Sequence, residues 1–417
     1  MKKRYMFLFA WFLIYLFILN NFVFNIPSKK IVSSSFFISE DLLYKNYLDD
    51  SNTTFNVGNF LGNDTLSNSD EESIKNFLNQ TYFIRNKAFL NGNIENLQSF
   101  FDKDKTFSNY SLNYELKRIY YLRNFAKEKG ITFKNISSSI NIRDLKFKDN
   151  MYTLVLDEEC KFDYFYNSNK SKVNSFGVKL NHYIELESNS SSFIILKDYY
   201  KDFITNIPEV NISLDDKSIL VSSNKSKSNL DFNINRKNTS NTFDRNSAPK
   251  YANKYSGISF ASNYRYNKNY HIYTGGEGNS VNFISQAISD KYEGGKLSQD
   301  NLWFYKLSNN KKIEVSSTWV KSSEFIAYLL KSNKATISYN GSINEMNTVM
   351  KSSNKNINIG DIIALYNVNG DISRLGIVTD FDNSNYPLIN CNSIDTYKIP
   401  FDLGFNDNSK ITILSIN

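Results

Sequence analysis

The residue types that most often perform nucleophilic, acid–base or metal chemistry are scarce in this sequence. It contains two histidines, His182 and His271, and two cysteines, Cys160 and Cys391. Two cysteines exclude a scaffold held by several disulfides and a zinc site made of four cysteines. Two histidines leave little room for a metal centre or for histidine-based catalysis. We therefore expect neither a metal ion nor a cofactor.

The neighbouring sequence favours structural roles for these four residues. His182 falls in a predicted strand, where a lone histidine is typically packed or on the surface. His271 is expected in a surface loop, with folding back toward Ser280 as the alternative. Cys160 and Cys391 are interpreted as buried thiols, because free cysteine behaves as a small apolar residue. Two isolated acids are expected to be solvated: Glu277 and Asp361.

Length and composition limit the class of protein. The chain has 417 residues, of which 41% are hydrophobic, 15% aromatic and 22% charged, so it has ample material for folded cores. Its net charge of +7 is a mild excess without a basic cluster. The sequence therefore predicts no nucleic-acid partner.

An apolar segment follows the basic N-terminus. Residues 2–4 are Lys-Lys-Arg, and residues 6–24 are apolar apart from two asparagines. A bilayer core needs about 17–25 apolar residues, and the basic flank predicts that the N-terminus is cytoplasmic. We expect a single-pass membrane anchor with residues 25–417 outside the cell. The alternative is a cleaved signal segment and a secreted protein.

Two polar stretches divide the remainder of the chain. We interpret residues 25–72 as a flexible linker, 73–205 as an α+β domain, 206–248 as a polar linker and 249–417 as a second α+β domain. We call residues 73–205 the first block and residues 249–417 the second block. Periodicity predicts helices first and antiparallel strands later in each block. The predicted elements include a helix ending at Gly130, a helix within 279–295, and strands at 152–156, 162–166, 373–380 and 410–416. The two blocks are expected to fold independently.

Short motifs in the second block resemble those of a putative amidase domain found in surface and secreted proteins of clostridia and bacilli, which is related to papain-like cell-wall cysteine hydrolases. The matching motifs are YANKY at 251–255, NFISQ at 282–286, LWFYK around Trp303, SSTW at 316–319, GDII at 360–363 and GIVTD at 376–380. The first block resembles the amino-terminal region of the same proteins through YELKRIYYLRNFAKEKGITF at 114–133, FGVKLNHYIEL at 176–186 and KDYYKDF at 197–203. The resemblance implies a cone-shaped α+β domain like nuclear transport factor, followed by a papain-like α+β domain.

The resemblance also places the family's catalytic residues on positions of this sequence. The family opens a helix with Asp-Cys-Thr-Asn-Phe, whose cysteine is the nucleophile, and this chain has Asn-Ser-Val-Asn-Phe at 279–283. Ser280 therefore occupies the nucleophile position. The position of the family's histidine base falls on Arg374, and that of the orienting residue falls on Asn392. All three positions are substituted.

These substitutions predict a loss of catalysis. A serine hydroxyl needs an adjacent base, and a guanidinium stays protonated at physiological pH. We expect a degenerate amidase-like protein that binds a cell-wall peptide or a partner surface protein. The alternative is an active amidase or peptidase with Ser280 as the nucleophile and a base that the sequence does not reveal.

Overall fold

This computed structural model describes residues 68–189, 192–204, 212, 216–221, 232, 234–235, 242–273, 278–307 and 312–417. The predicted anchor, residues 6–24, lies outside the described residues, and so do Glu277 and most of both predicted linkers. None of the helices within the described ranges is long and apolar enough to span a membrane.

The first block places helices against a strongly paired antiparallel sheet. Helices α1 (Asn68–Asn91) and α3 (Thr106–Glu128) bury one apolar face each, with Leu78 and Leu116 completely inaccessible to solvent. Helix α3 ends where Gly130 adopts a φ of 64°, so the predicted glycine at the end of this helix is confirmed. The elements are α1 (Asn68–Asn91), α2 (Glu95–Gln98), α3 (Thr106–Glu128), β1 (Ile131–Lys148), β2 (Met151–Tyr166), β3 (Asn169–Asn189) and β4 (Ser192–Tyr200).

The second block contains helices and a second antiparallel sheet, whose strand order is β14 (Ile399–Pro400), β12 (Pro387–Asn390), β11 (Ile372–Phe381), β10 (Ile362–Tyr366), β15 (Lys410–Ile416) and β8 (Ala335–Ser342). A short parallel pair, β5 (Ile234–Asn235) with β9 (Ile357–Asn358), joins the region between the blocks to the second block. The helices are α4 (Ser247–Lys254), α5 (Gly278–Ser289), α6 (Ser317–Val320), α7 (Ser322–Lys331) and α8 (Ile343–Ser352). The strands are β5 (Ile234–Asn235), β6 (Tyr305–Leu307), β7 (Ile313–Val315), β8 (Ala335–Ser342), β9 (Ile357–Asn358), β10 (Ile362–Tyr366), β11 (Ile372–Phe381), β12 (Pro387–Asn390), β13 (Thr396–Tyr397), β14 (Ile399–Pro400) and β15 (Lys410–Ile416). The mixed α+β class that the sequence predicts is confirmed.

The second sheet is buried on both of its faces. Along β10, Ile362 and Ala364 belong to a core shared with α4, α5 and α7. The alternate residues, Ile363 and Leu365, belong to a different core, which also contains the buried apolar side chains of the first block. Since successive strand residues point to opposite faces, β10 contributes to two cores at once.

A strand of the second block also extends the sheet of the first block. In β13, Thr396 pairs with Val178 of β3 and Tyr397 pairs with Gly177. The described residues accordingly belong to one compact unit. The expectation that the two blocks fold independently stays a prediction, and the shared core argues against it, because separating the blocks would expose one face of the second sheet. The linker and domain boundaries drawn from the sequence stay predictions.

Candidate functional site

Ser280 lies in the first turn of α5, and its side chain is buried. The helix forms here because apolar residues at 281, 283, 284, 287 and 288 pack into the core beside it. Ser280 is 5% exposed, and its Oγ has no hydrogen-bond partner among the described residues. The N-terminal end of a helix has a partial positive charge and unpaired N–H groups. Ser280 therefore presents an unused hydroxyl where a negative charge would be stabilised.

Arg374 lies on β11, and main-chain carbonyls hold its guanidinium in place. Nη1 donates to the carbonyl of Leu403 over 2.6 Å, and Nη2 donates to the carbonyl of Phe203 in the first block. The guanidinium also lies 4.8 Å from the ring centroid of Phe405. Burial lowers the pKa of Arg374, yet the group remains a hydrogen-bond donor to both carbonyls. It cannot act as a base.

The structure brings Ser280 and Arg374 to one cavity of about 320 Å³. Cys391 lines the same cavity, as do Lys201, Asp202 and Phe203 of the first block. Cys391 is buried, which confirms that interpretation, and its Sγ lies 3.2 Å from Thr396 Oγ1. Burial raises the pKa of the Cys391 thiol, although Arg374 acts in the opposite direction. The thiol is therefore neutral and poorly nucleophilic at neutral pH.

Asn392 lies beside a different and much smaller cavity, of about 10 Å³. The main-chain carbonyl of Asn392 accepts a hydrogen bond from Asn279 Nδ2 over 3.4 Å. Its buried side-chain Oδ1 has no hydrogen-bond partner within the described part of the chain. Consecutive residues thus face separate cavities: Ser280 and Cys391 line the larger one, and Asn279 and Asn392 line the smaller one. Asn392 is near the start of α5 but does not share the Ser280 cavity.

His271 lies in an exposed loop and lines the smaller cavity with Asn392. Its ring packs edge-on against Tyr273, with 4.9 Å between the ring centroids. Its main-chain carbonyl accepts a hydrogen bond from Asn282 Nδ2 over 2.9 Å. The loop therefore approaches α5, as the alternative interpretation of His271 anticipated, but His271 lines a different cavity from Ser280. The exposed position expected for it is confirmed.

Two further parts of the chain contribute to this site. Strand alternation predicts that the side chain of Cys391 faces away from Asn392, but not that it shares the cavity with Ser280, as the structure shows. The other contribution is the segment 201–203 of the first block, which lines the cavity of the second block. No local motif predicts that contribution, because it depends on how the two blocks pack.

The remaining candidate residues are paired in the structure. Asp361 is fully buried and pairs with Arg245 over 2.8 Å, so the expectation that it is solvated is wrong. Cys160 is buried, as expected. His182 is also buried, and its ring nitrogens lie 2.8 Å from Asp198 Oδ1 and 3.2 Å from Glu158 Oε2. No group of three or more potential metal ligands occurs among the residues that the structure describes.

The candidate site is formed by the start of α5, by Arg374 on β11 and by residues 391–392. A family model matches the part of the chain that contains all three. Residues 242–415 match the putative amidase domain. The match includes Ser280, Arg374 and Asn392, so the candidate site lies within the putative amidase domain. The first block lies outside the match, although it supplies part of the cavity wall.

Comparisons with other proteins yield less. No curated protein matches the chain. A solved structure of the intermembrane space region of the chloroplast protein ARC6 aligns with this chain at 12% identity and a TM-score of 0.24. The alignment covers 33% of this chain and 97% of the ARC6 chain. The beta subunit of benzoate 1,2-dioxygenase from Burkholderia mallei covers 33% of this chain and 91% of its own, with 14% identity and a TM-score of 0.19. Similarities this weak support no argument about fold or function.

Proposed function

We propose that this protein is a membrane-anchored extracellular protein whose amidase domain has lost catalysis and retains its cavity as a binding site. The ligand would be a cell-wall peptide or a partner surface protein. The observation on which this rests is the position of Arg374, a buried cation that shares the cavity with Ser280. A hydrolase of this type needs a neutral base at that position.

The surroundings of Ser280 support this proposal. Its Oγ has no hydrogen-bond partner among the described side chains and main-chain atoms, so no base activates it in this structure. The other potential nucleophile of the cavity, Cys391, has its pKa raised by burial. Loss of a proton-transfer partner costs about 10²–10⁴ in rate, and an unactivated hydroxyl is a weaker nucleophile than a thiolate.

The location outside the cell rests on the sequence alone. The basic residues 2–4 before the apolar segment 6–24 favour a single-pass anchor with the remaining chain on the outer side. Protease added to intact cells should then digest both blocks. If protein is recovered from the medium and its N-terminus lies beyond residue 24, secretion after cleavage is supported instead.

One observation favours an active enzyme as a second candidate. The Ser280 hydroxyl has no hydrogen-bond partner among the described residues. It lies at the N-terminal end of a helix of twelve residues, where an oxyanion or a substrate carbonyl oxygen would be stabilised. A substrate that brings its own base, or a rearranged His271 loop, would be needed to activate it. This candidate predicts that turnover depends on Ser280.

The two candidates differ in a direct assay. Full-length protein in detergent is incubated with cell-wall peptides, and cleavage is followed by mass spectrometry. The degenerate protein should show no cleavage above that of the Ser280→Ala variant. Turnover that Ser280→Ala abolishes would contradict the proposal and support a serine hydrolase.

A further inference from the structure

Arg374 differs from the other buried arginines in the described part of the chain. Four arginines are buried there, and three of them form an ion pair with a carboxylate. No carboxylate among the described residues forms an ion pair with Arg374, whose hydrogen bonds go to uncharged carbonyl groups. The three paired arginines are Arg85 with Glu158, Arg118 with Asp202 over 2.5 Å, and Arg245 with Asp361 over 2.8 Å.

The two carboxylates that favour the charged form of Arg374 each form an ion pair with another cation. Asp402 and Asp202 both favour the charged form of Arg374. Asp402, however, pairs with Lys129 over 2.6 Å, and Asp202 pairs with Arg118. These two acids therefore balance other cations, and no carboxylate in the described ranges is left to balance the charge of Arg374.

An isolated buried charge is costly unless an opposite charge accompanies it. Cys391 does not provide that charge, because burial raises the pKa of its thiol. The carbonyls of Phe203 and Leu403 accept two hydrogen bonds, whereas a guanidinium has five N–H groups to donate. Arg374 therefore has capacity for an anionic ligand at a wall of the cavity.

Ser280 provides an independent indication on the same cavity. Ser280 is 5% exposed, and its buried hydroxyl, which has no partner among the described residues, can donate one hydrogen bond. The N–H groups at the start of α5 add a partial positive charge of about half an elementary charge. A helix start, an unpartnered donor and an uncompensated guanidinium thus face one space.

We propose that the cavity binds the carboxylate group of a peptide-like ligand, with Arg374 and Ser280 as the carboxylate-binding residues. This inference rests on the proposed function, because it names the ligand chemistry of the same site. A planar carboxylate matches the fork of a guanidinium better than other small anions that lack two coplanar oxygens. A cavity of about 320 Å³ lies at the small end of ligand sites, so it suits the terminal residues of a peptide.

The rest of the cavity wall is compatible with this ligand. Hydroxyl groups of Ser322, Ser373 and Ser393 also line it, and they can bind the peptide part. Three further charged residues line it: Asp202 is buried and paired with Arg118, whereas Lys201 and Asp371 lie in exposed positions. Water screens exposed charges strongly, so we expect them to affect affinity less than Arg374 does.

The probes are N-acetyl-D-alanine and N-acetyl-L-alanine, each compared with its uncharged amide. Binding to full-length protein in detergent is measured by calorimetry at neutral pH and at two salt concentrations. At least one acid should bind about tenfold more tightly than its own amide. A preference for the D acid indicates a cell-wall peptide end, and a preference for the L acid indicates an ordinary peptide C-terminus. Equal binding of acid and amide, or no binding of either acid, would overturn the proposal.

Variants separate the two binding residues. Ser280→Ala should weaken acid binding about tenfold and leave amide binding unchanged. Ser289→Ala is the matched control, since it makes the same change in the same helix at a residue outside the cavity wall. Arg374→Gln should abolish the difference between acid and amide, provided that circular dichroism shows it to be folded. If Arg374→Gln does not fold, the Ser280→Ala result decides, and undiminished acid binding by that variant would overturn the proposal.

Hydrolysis is monitored separately in the same samples. Failure of the proposed function would appear as turnover that depends on Ser280. Failure of the carboxylate inference would appear as loss of the acid preference without any turnover.

Discussion

Arg374 of the second block donates a hydrogen bond to the main-chain carbonyl of Phe203 in the first block. The same guanidinium lines the cavity that contains Ser280. The shape of the candidate site therefore depends on both blocks, although the amidase match begins only at residue 242.

We predict that cutting the chain between the blocks does not separate them. The second sheet is buried on both faces, and β13 pairs with β3, so the two fragments should stay associated. Limited proteolysis followed by size-exclusion chromatography and gel electrophoresis measures this. Fragments that cover 68–204 and 242–417 should elute together and unfold in one transition. Separate elution of two folded fragments would show that the blocks are independent.

The protein should become less stable above neutral pH as His182 loses its proton. Burial alone would lower the pKa of His182, but the facing carboxylates of Asp198 and Glu158 outweigh burial and raise this pKa to about 9. The folded state therefore binds the proton more tightly than the unfolded state. The resulting stability is fully present below about pH 6.5 and is lost as the pH rises through 9.

The measurement is the free energy of unfolding in urea between pH 6.5 and 10. Over this range, the free energy of unfolding of the wild type should fall by up to about 3 kcal/mol more than that of the His182→Gln variant. Parallel pH dependence in the two proteins would show that His182 is not protonated in the folded state.

Asp395 should also make the protein less stable as the pH rises, because its charged carboxylate weakens the contact between the blocks. Burial raises its pKa to about 6, and Asp157 and Glu159 act in the same direction, whereas Lys179 and a hydrogen bond from Tyr266 oppose them. The folded state therefore favours the protonated acid, and the stability from this group is present below about pH 4 and lost as the pH rises through 6. Asp395→Asn should raise the melting temperature relative to wild type more at pH 7.5 than at pH 4.5. A difference that does not change with pH would contradict this account.

A thiol placed at position 280 should be unusually reactive. The N-terminal end of α5 and the guanidinium of Arg374 both favour a thiolate, so the Ser280→Cys thiol should have a pKa below the ordinary value of about 8.5. Alkylation by iodoacetamide at pH 7 measures this. The matched control is Ser352→Cys, an exposed position at the C-terminal end of α8. The Ser280→Cys, Arg374→His double variant should also react faster than the control.

Slow alkylation at position 280, equal to that of the control, would show that the start of α5 does not stabilise an anion. The two native thiols provide the background rate, and burial raises the pKa of both Cys160 and Cys391.

The sequence predicted the elements that have a clear period. Helix α5 and strands β11 and β15 lie where the apolar pattern places them. The sequence predicted two separate strands at 152–156 and 162–166, whereas β2 is continuous from Met151 to Tyr166. Three consecutive acids in its middle, residues 157–159, are unfavourable in an isolated strand. In the folded protein they pair with Lys179 (3.3 Å), Arg85 and Arg265 (3.1 Å), respectively, and these partners come from distant parts of the chain.

The candidate site shows the same limit of sequence reasoning. The positions of Ser280 and Arg374 followed from a motif comparison, and the structure places both on one cavity. The carbonyl partner of Arg374 at Phe203 could not be predicted, because it depends on packing between the blocks. The uninterrupted apolar run of β10 was a missed signal, since such a run is typical of a strand buried on both faces.

The central claim is that Ser280 is not an activated nucleophile, and a test that requires no knowledge of the substrate addresses it most directly. Full-length protein in detergent is treated with a fluorophosphonate probe at neutral pH, and adducts are located by peptide mass spectrometry, with Ser280→Ala as the control. We predict no adduct at Ser280, because no base contacts its hydroxyl within the described structure. Stoichiometric labelling of Ser280 that is absent in Ser280→Ala would contradict the account and identify an active serine hydrolase.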